Sequence, residues 1–172
     1  MKKMLVGIFL GSDSDLEVMS KACEVLEEFN VSYKILVSSA HRSPSLTSKN
    51  IENLKNLGAK VIIAGAGLAA HLAGTIAAHF PLPVIGVPLK GGALNGVDSL
   101  YSTVQMPPGI PVATVGIDNA KNAGLLAIQI LATSSKTLEK KLVEYKKSLE
   151  DGVKKKSEKL ARIGWKNYLQ NK

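Results

Sequence analysis

The chain has 172 residues, 45% of them hydrophobic, and its mean hydropathy is +0.11. This length suits one domain with a sizeable core, and the composition is too apolar for a disordered protein. No apolar run reaches the roughly 18–20 residues that a membrane-spanning helix needs. Cys23 is the single cysteine, so an internal disulfide is excluded and a reducing, cytoplasmic location is predicted.

The formal charge of +8 is carried almost entirely by the C-terminal segment. Residues 136–172 contain 12 Lys or Arg and 5 Asp or Glu, whereas residues 1–135 contain 10 and 9. A surface that is basic throughout, as in many nucleic-acid-binding proteins, is therefore not indicated. We expect neither a nucleic acid nor a membrane as a partner.

Short apolar runs alternate with helical patterns along the chain up to residue 132. The run at 4–10 follows Lys2 and Lys3 like a signal peptide, but it lacks a cleavage site, so it is better explained as a strand. Cys23 lies on the apolar stripe of the first helix, which favours a core role over a nucleophilic one. Strands are predicted at 4–10, 32–37, 61–64, 83–88 and 111–115, and helices at 14–29, 44–57, 75–79, 97–104 and 119–132.

Five apolar strands that alternate with helices predict a parallel sheet with helices on both faces. In such a sheet, right-handed crossovers place every strand-to-helix loop at the carboxyl edge, where ligands bind. Three glycine-rich or polar loops, at 11–15, 39–44 and 65–74, should therefore meet at one edge.

The segment after residue 135 has a different character. It is predicted to form an amphipathic helix with a dense lysine face. We predict a catalytic α/β domain at 1–134 and a basic helical extension at 135–172 that docks on a neighbouring subunit. A solvated helix over a single-subunit core is the alternative, and binding of RNA or another acidic surface is less favoured. The apolar positions are Leu138, Leu142, Tyr145, Leu149 and Val153.

The loop Gly11–Asp15 joins the first strand to the first helix. Glycine lets the backbone approach a ligand, and the free N–H groups of a helix start favour an anion. Ser12 and Ser14 could add hydroxyl donors, and Asp15 could accept from the hydroxyls of a sugar. Plain helix capping by Ser or Asp is the alternative.

The second loop, Ser39–Pro44, places His41 next to Arg42. A histidine moves protons near neutral pH, and an arginine holds a phosphate or carboxylate in a fork. If Arg42 fixes an anionic group, His41 is held within proton-transfer reach of a nearby atom. Ser43 and Pro44 suit a helix start, and a capping turn without further function is the alternative.

The third loop, Gly65–Gly74, consists of small residues around His71. Small side chains expose backbone amides and leave room for a planar ring or a small gas molecule. His71 is the only polar side chain of this loop, and a purely structural histidine is the alternative interpretation. His79 is predicted to contact carbonyls at a helix end and to have no functional role.

Several common site motifs do not occur. The loop at 11–15 is neither a Walker A loop nor the dinucleotide fingerprint. Neither the ligand spacing of a zinc site nor the serine elbow of hydrolases is found. We therefore expect acid–base chemistry on a bound small molecule, without a metal.

Six segments together resemble the class I 5-(carboxyamino)imidazole ribonucleotide mutases of purine biosynthesis, part of the AIR (aminoimidazole ribonucleotide) carboxylase family. Each motif alone is weak, but six in order are specific, and they cover about residues 4–132. The segments are Gly-Ser-x-Ser-Asp at 11–15, Ser-Ala-His-Arg at 39–42, Ala-Gly-Ala-Gly-x-Ala-Ala-His-Leu at 64–72, Pro-Val-Ile-Gly-Val-Pro at 83–88, Asp-Ser-Leu-x-Ser-x-Val-Gln-Met-Pro at 98–107 and Asn-Ala-x-Leu-Leu-Ala at 122–127.

The resemblance implies an isomerase that moves a carboxyl group from the exocyclic nitrogen of the imidazole to carbon 4. It implies a three-layer αβα sandwich, flavodoxin-like or Rossmann-like, assembled as a homo-octamer with active sites at subunit contacts. It implies no cofactor and no metal, and the substrate could come from a separate ATP-dependent synthetase.

The resemblance also implies roles for individual residues. His41 corresponds to the catalytic acid–base and Arg42 to the phosphate-binding arginine. The loop at 11–15 corresponds to ribonucleotide-binding positions, with Ser14 near the phosphate, and residues 65–72 correspond to the pocket for the imidazole and carbon dioxide. The substrate-binding residues implied in full are Ser12, Ser14, Asp15, Ser39, Ala40, Arg42, Gly67, His71 and Leu72.

Four positions depart from the family's usual pattern. Leu68 stands in place of glycine, Ala73 of proline, Thr75 of methionine and Ser43 of threonine, and the first two flank the proposed pocket. Class II relatives, which carboxylate aminoimidazole ribonucleotide with free carbon dioxide, carry Ala-Gly-Arg-Ser-Asn here, and its absence favours class I. The alternatives are a class II carboxylase and a non-catalytic nucleotide-binding scaffold.

Overall fold

A computed structural model describes residues 4–170 of the chain. The chain divides into two compact units, one that ends at Leu131 and one that begins at Ala132. The first unit contains a sheet and the helices around it. The second unit consists of one long helix and the turn that precedes it.

Strands and helices alternate in the order that the sequence predicts. A short 3-10 helix, Asp13–Asp15, precedes the first α-helix. The strands are β1 (Val6–Leu10), β2 (Tyr33–Val37), β3 (Val61–Gly67), β4 (Val84–Leu89) and β5 (Ala113–Thr114). The helices are α1 (Leu16–Glu28), α2 (Pro44–Asn56), α3 (Leu72–His79), α4 (Val97–Val104), α5 (Ala120–Ala132) and α6 (Lys136–Gln170).

All five strands are parallel and lie in the order β2-β1-β3-β4-β5. This is the strand order of flavodoxin-like folds, and the predicted α/β fold is confirmed. The chain runs from β1 outward to β2 and then returns across β1 to β3. Ligands of such folds bind at this reversal, outside the carboxyl ends of the strands.

The residues of the inner strands point alternately to two packed faces of the sheet. On one face, Phe9, Ile62 and Val84 join an apolar cluster with the buried sides of α2 and α3. On the other face, α1 packs so closely that a Cβ added to Gly65 would lie 2.5 Å from Sδ of Met19. Burial on both faces explains why β1 and β4 are continuous apolar runs without alternation.

The loop after β3 is shorter than predicted. β3 continues to Gly67 because it keeps pairing with β4 up to that residue. α3 begins at Leu72, three residues before the predicted start. The small-residue loop therefore consists of residues 68–71, and His71 is the N-cap residue of α3.

Other differences from the prediction lie at element ends. α1 begins at Leu16 because the two residues predicted before it belong to the 3-10 helix. β5 is shorter than the predicted 111–115 because only Ala113 and Thr114 pair with β4. β2 is an edge strand, so its apolar residues are less buried than those of β1, and Val37 is 53% exposed.

The second unit contains α6, which bends at Gly164, where φ is +72°. Leu142 is the buried residue of this helix, whereas Leu149 and Val153 of the predicted apolar stripe are 53% and 68% exposed. The predicted helix is therefore present, and its docking role stays a prediction. Within residues 4–170, no helix combines the length and the apolar character needed to cross a membrane.

Candidate active site

Loops at the carboxyl edge of the sheet line an open cavity of about 530 Å³. These loops follow β1, β2, β3 and β4, which are neighbours in the sheet. The structure therefore brings together the three loops that were expected to meet, and it adds a fourth. Every residue that the sequence singled out as catalytic or substrate-binding lines this cavity: Ser12, Ser14, Asp15, Ser39, Ala40, His41, Arg42, Gly67, His71 and Leu72.

The loop after β2 is held in place by its own hydroxyl groups. The backbone N–H and the hydroxyl of Ser43 both donate to the carbonyl of Ser39, at 2.9 and 3.0 Å. Thr47 donates its hydroxyl to the carbonyl of Ser43 at 3.1 Å and lies 2.9 Å from the buried hydroxyl of Ser38. Ser43 is the N-cap residue of α2, so the predicted helix start is confirmed, but because its hydroxyl turns back to Ser39 it makes no side-chain capping bond to α2. Pro44 occupies the first turn, as predicted.

Arg42 connects the loop after β2 to the end of β1. Its Nη2 donates to the carbonyl of Gly11 at 2.9 Å, and its Nε donates to the hydroxyl of Ser39 at 3.4 Å. These bonds fix the guanidinium beside the cavity. Since a guanidinium has five N–H donors, others remain available to an anion that enters the cavity.

His41 and His71 come from different loops and form a hydrogen bond. Nε2 of His41 lies 3.0 Å from Nδ1 of His71, and the two rings are perpendicular, with centroids 5.0 Å apart. One ring donates and the other accepts, so each ring restricts the tautomer of the other. His71 therefore contacts the histidine that the sequence predicts to be the acid–base residue. The sequence could not show the pairing, because it depends on the loops after β2 and β3 meeting across the end of β1.

The loop after β1 forms a capping box. The N–H of Ser12 donates to Oδ2 of Asp15 at 2.9 Å, and the N–H of Ser14 donates to the hydroxyl of Ser12 at 3.4 Å. The capping interpretation therefore holds for Ser12 and Asp15, which also line the cavity. Burial raises the pKa of the Asp15 carboxyl above 3.8, while the hydrogen bond from Ser12 and the charge of Arg42 oppose this rise.

Leu68 extends from the loop after β3 with φ of +55°, in the left-handed region. It lines the cavity, and 55% of the residue is exposed. A Cβ added to Gly92 would lie 2.8 Å from Cδ2 of Leu68, and one added to Gly91 would lie 3.7 Å away. Gly92 therefore makes room for this side chain, whereas a Cβ at Gly91 would be in ordinary van der Waals contact with it. A non-glycine residue in this conformation costs about 1–2 kcal/mol.

Lys90 and Gly91 line the cavity as well, and neither is among the predicted site residues. They follow β4, which pairs with β3 in the sheet. The rule that strand-to-helix loops meet at one edge applies to this loop as it does to the other three. A lysine directly after a buried strand was the indication in the sequence.

Two residues outside the cavity match their structural interpretations. Nδ1 of His79 lies 2.8 Å from the carbonyl of Thr75 in the last turn of α3. Cys23 is partly buried in α1, and burial raises the pKa of its thiol. In the part of the chain that the structure describes, no three His, Cys, Asp or Glu side chains cluster as a metal site requires.

Comparison with known proteins identifies the family. Residues 5–152 match the family described as AIR carboxylase. This stretch of the chain includes the sheet, the loops of the cavity and the first half of α6. The chain belongs to the AIR carboxylase family. The resemblance seen in the six sequence segments is therefore confirmed at the level of the family.

Relatives of this AIR carboxylase family member carry two kinds of name. The chain is 54% identical to the N5-carboxyaminoimidazole ribonucleotide mutase of Pyrococcus horikoshii, over 98% of this chain and 95% of the relative. It is 53% identical to the mutase of Thermotoga maritima, over 97% and 98%. It is also 51% identical to the phosphoribosylaminoimidazole carboxylase of Saccharomyces cerevisiae, of which it spans only 30%.

A solved structure shows the same fold. Treponema denticola PurE matches with a TM-score of 0.81, over 93% of this chain and 98% of that chain, at 28% sequence identity. The fold of the AIR carboxylase family member therefore agrees with a crystal structure over nearly its whole length.

Proposed function

We propose that this protein converts 5-carboxyamino-1-(5-phospho-D-ribosyl)imidazole into 5-amino-1-(5-phospho-D-ribosyl)imidazole-4-carboxylate in de novo purine biosynthesis. The observation that carries the proposal is the His41–His71 hydrogen bond of 3.0 Å in a cavity that Arg42 also lines. A proton carrier and an anion-binding group thus share one site. Relatives of the same length that are named mutase support this choice.

The ribonucleotide binds through its phosphate and its sugar. Arg42 takes the phosphate with its unused N–H groups, and the hydroxyl of Ser14 donates to the same anion. Asp15 accepts from the ribose hydroxyls. Its carboxylate has two oxygens, of which Oδ2 already accepts from Ser12, so further acceptor capacity remains.

The imidazole lies among the small residues of the cavity. Ala40 and Gly67 leave room for a planar ring, and Leu72 provides an apolar wall. With the ribonucleotide bound in the cavity, the released carbon dioxide is held near carbon 4. Such proximity makes its recapture effectively an intramolecular step.

The reaction needs one proton carrier and no cofactor or metal. The bond between the exocyclic nitrogen and the carboxyl group breaks, carbon dioxide leaves, and the nitrogen keeps the electron pair and takes a proton. Carbon 4 of the resulting enamine-like ring attacks carbon dioxide, and the proton on carbon 4 then leaves. His41 supplies the first proton and recovers the second, so it is unchanged after one turnover. His71 orients the His41 ring through their hydrogen bond.

A coupled assay with the carboxyamino ribonucleotide and no added bicarbonate tests this proposal. We expect conversion by the wild-type chain. The His41→Asn variant should lose turnover and keep nucleotide binding, because asparagine is polar but neither gains nor loses a proton near neutral pH. His79→Asn, outside the cavity, is the matched control and should keep normal turnover. Normal turnover of the His41 variant would rule out the proton-carrier role.

A carboxylase that uses free carbon dioxide is the second candidate. The observation that supports this candidate is the 51% identity to a protein named phosphoribosylaminoimidazole carboxylase. Such an enzyme would act on aminoimidazole ribonucleotide and would need a high concentration of bicarbonate. A strict need for bicarbonate in the assay would therefore replace the mutase proposal with the carboxylase. Nucleotide binding without turnover would instead favour a non-catalytic nucleotide-binding scaffold.

We also propose that the protein works in the cytoplasm as a homo-octamer and receives its substrate from a separate ATP-dependent synthetase. Exposed apolar residues of α6, such as Val143 and Val153, support a role of this helix in subunit docking. A chain truncated after Ala132 should form smaller particles in light scattering. An unchanged particle mass would contradict the docking role.

A further inference from the structure

A second cationic side chain lines the cavity besides Arg42. Lys90 follows the last residue of β4, its side chain is 64% exposed, and its Nζ lies 3.7 Å from Oδ2 of Asp118. An ion pair this loose and this exposed adds little to stability, so the ammonium remains available to a ligand. Of the described residues that line this cavity, only Arg42 and Lys90 are arginine or lysine.

The backbone of Lys90 is held by the same acidic residue. Its N–H donates to Oδ1 of Asp118 at 2.8 Å, and the N–H of Asp118 donates to the carbonyl of Pro88 at 2.9 Å. Asp118 has φ of +55°, a conformation that Asp and Asn adopt more readily than most residues. Asp118 therefore fixes the point at the end of β4 from which the Lys90 side chain extends.

Arg42 and Lys90 are held at strand ends on either side of β3. Arg42 is bonded to Gly11 at the end of β1, and Lys90 follows β4, with β3 between them. Neighbouring strands are about 4.8 Å apart, so these two strand ends are about 10 Å apart along the sheet edge. The loop after β3, which carries His71, therefore lies between these two strand ends.

We infer that Lys90 binds the carboxylate of the substrate and that Asp118 positions it, an assignment that rests on the proposed function. The ribonucleotide is anionic at both ends, with a phosphate on the ribose and a carboxylate on the imidazole. When the phosphate is bound by Arg42, Lys90 is the cation left for the carboxylate.

The chemistry of lysine suits a carboxylate that moves. The carboxyl group starts on the exocyclic nitrogen and ends on the adjacent carbon 4. An ammonium on a flexible stem is a point charge that can follow this change, whereas the planar fork of an arginine holds a carboxylate in one orientation. Lys90 therefore accommodates both the substrate and the product and discriminates against the decarboxylated ring.

Isothermal titration calorimetry with two ligands tests this assignment. One ligand is the 4-carboxylate product, and the other is the aminoimidazole ribonucleotide that lacks the carboxylate. Lys90→Met should bind the first about tenfold more weakly, the loss expected for one charge-assisted hydrogen bond, and the second as the wild type does. Lys90→Arg should retain part of the preference. Lys121→Met, which removes an exposed lysine outside the cavity, should change neither affinity.

The positioning role of Asp118 has its own variants. Asp118→Asn keeps an Oδ1 acceptor and tolerates the left-handed conformation, so it should keep the preference for the carboxylated ligand. Asp118→Ala removes the acceptor and should reduce that preference. Circular dichroism of each variant verifies that the chain is folded.

Each contrary result has a distinct meaning. Equal weakening of both ligands in Lys90→Met would place the lysine on the phosphate, and unchanged affinity for the carboxylated ligand would give it no role in binding. Either result overturns the assignment of Lys90 and leaves the proposed function in place. Failure of the wild-type chain to bind either ligand would instead contradict the proposed function, and the assignment would fall with it.

Discussion

Substitution of Leu68 should reverse the usual order of stability between alanine and glycine. At most positions alanine is the more stable of the two by about 0.5–1 kcal/mol, because glycine loses more conformational freedom on folding. Leu68 has φ of +55°, which costs a residue with a Cβ about 1–2 kcal/mol and costs glycine almost nothing. The strain exceeds the entropy difference, so Leu68→Gly should be more stable than Leu68→Ala by about 0.5–1 kcal/mol.

The loss of side-chain packing determines how stable both variants are relative to the wild type. A fully buried leucine contributes about 1.5–3 kcal/mol, and Leu68 is 55% exposed, so truncation removes about 1 kcal/mol. Leu68→Ala keeps the strain and should therefore unfold with a free energy about 1 kcal/mol below that of the wild type. Leu68→Gly loses the same contacts and the strain together, so it should lie close to the wild type.

Urea denaturation followed by circular dichroism, at one protein concentration, measures these differences. Leu46 gives the matched control, since it is 45% exposed on α2 and has ordinary helical geometry. There, Leu46→Ala should be more stable than Leu46→Gly by about 1 kcal/mol. If alanine were the more stable residue at both positions, the argument from backbone strain at Leu68 would be refuted.

Two further predictions concern packing and binding. Gly65→Ala should lower the free energy of unfolding by about 1–3 kcal/mol, because its Cβ would lie 2.5 Å from Sδ of Met19. The control is Gly152→Ala on α6, where a Cβ meets open space, and it should not destabilise the chain in the same urea experiment. Arg42→Met should weaken calorimetric binding of the ribonucleotide but not of the nucleoside without its phosphate, whereas Arg162→Met on α6 should affect neither. Equal effects on nucleotide and nucleoside would argue against phosphate binding by Arg42.

Much of the fold could be predicted from local patterns. Continuous apolar runs such as Val6–Leu10 are typical of strands buried on both faces. The predicted end of α2 near residue 57 is close to the observed end at Asn56, and Gly58 follows with φ of +87°. Strand ends were harder, because they depend on partners. β3 extends to Gly67 only because β4 offers hydrogen-bonding groups that far, and β5 is short because pairing stops at Thr114.

The candidate site was predictable where its residues are adjacent in sequence. His41 and Arg42 stand side by side, and their chemistry can be inferred without a fold. The contact between His41 and His71 depends on strand order, which local patterns do not determine. The rule that strand-to-helix loops meet at one edge places Lys90 at the carboxyl edge of the sheet, but only the strand order shows that its loop neighbours the loop that carries His71.

The order of the strands has a consequence for synthesis on the ribosome. β1 and β2 emerge first, and β3, β4 and β5 then join one side of β1 in the order in which they are made. Until β5 emerges, the growing edge of the nascent sheet is an apolar strand, first β3 and then β4. Its unpaired backbone groups readily pair with another chain. β5 closes the series with only Ala113 and Thr114, an edge too short to recruit a further strand. Nascent chains that stall before residue 113 should therefore associate through β4 more readily than completed ones.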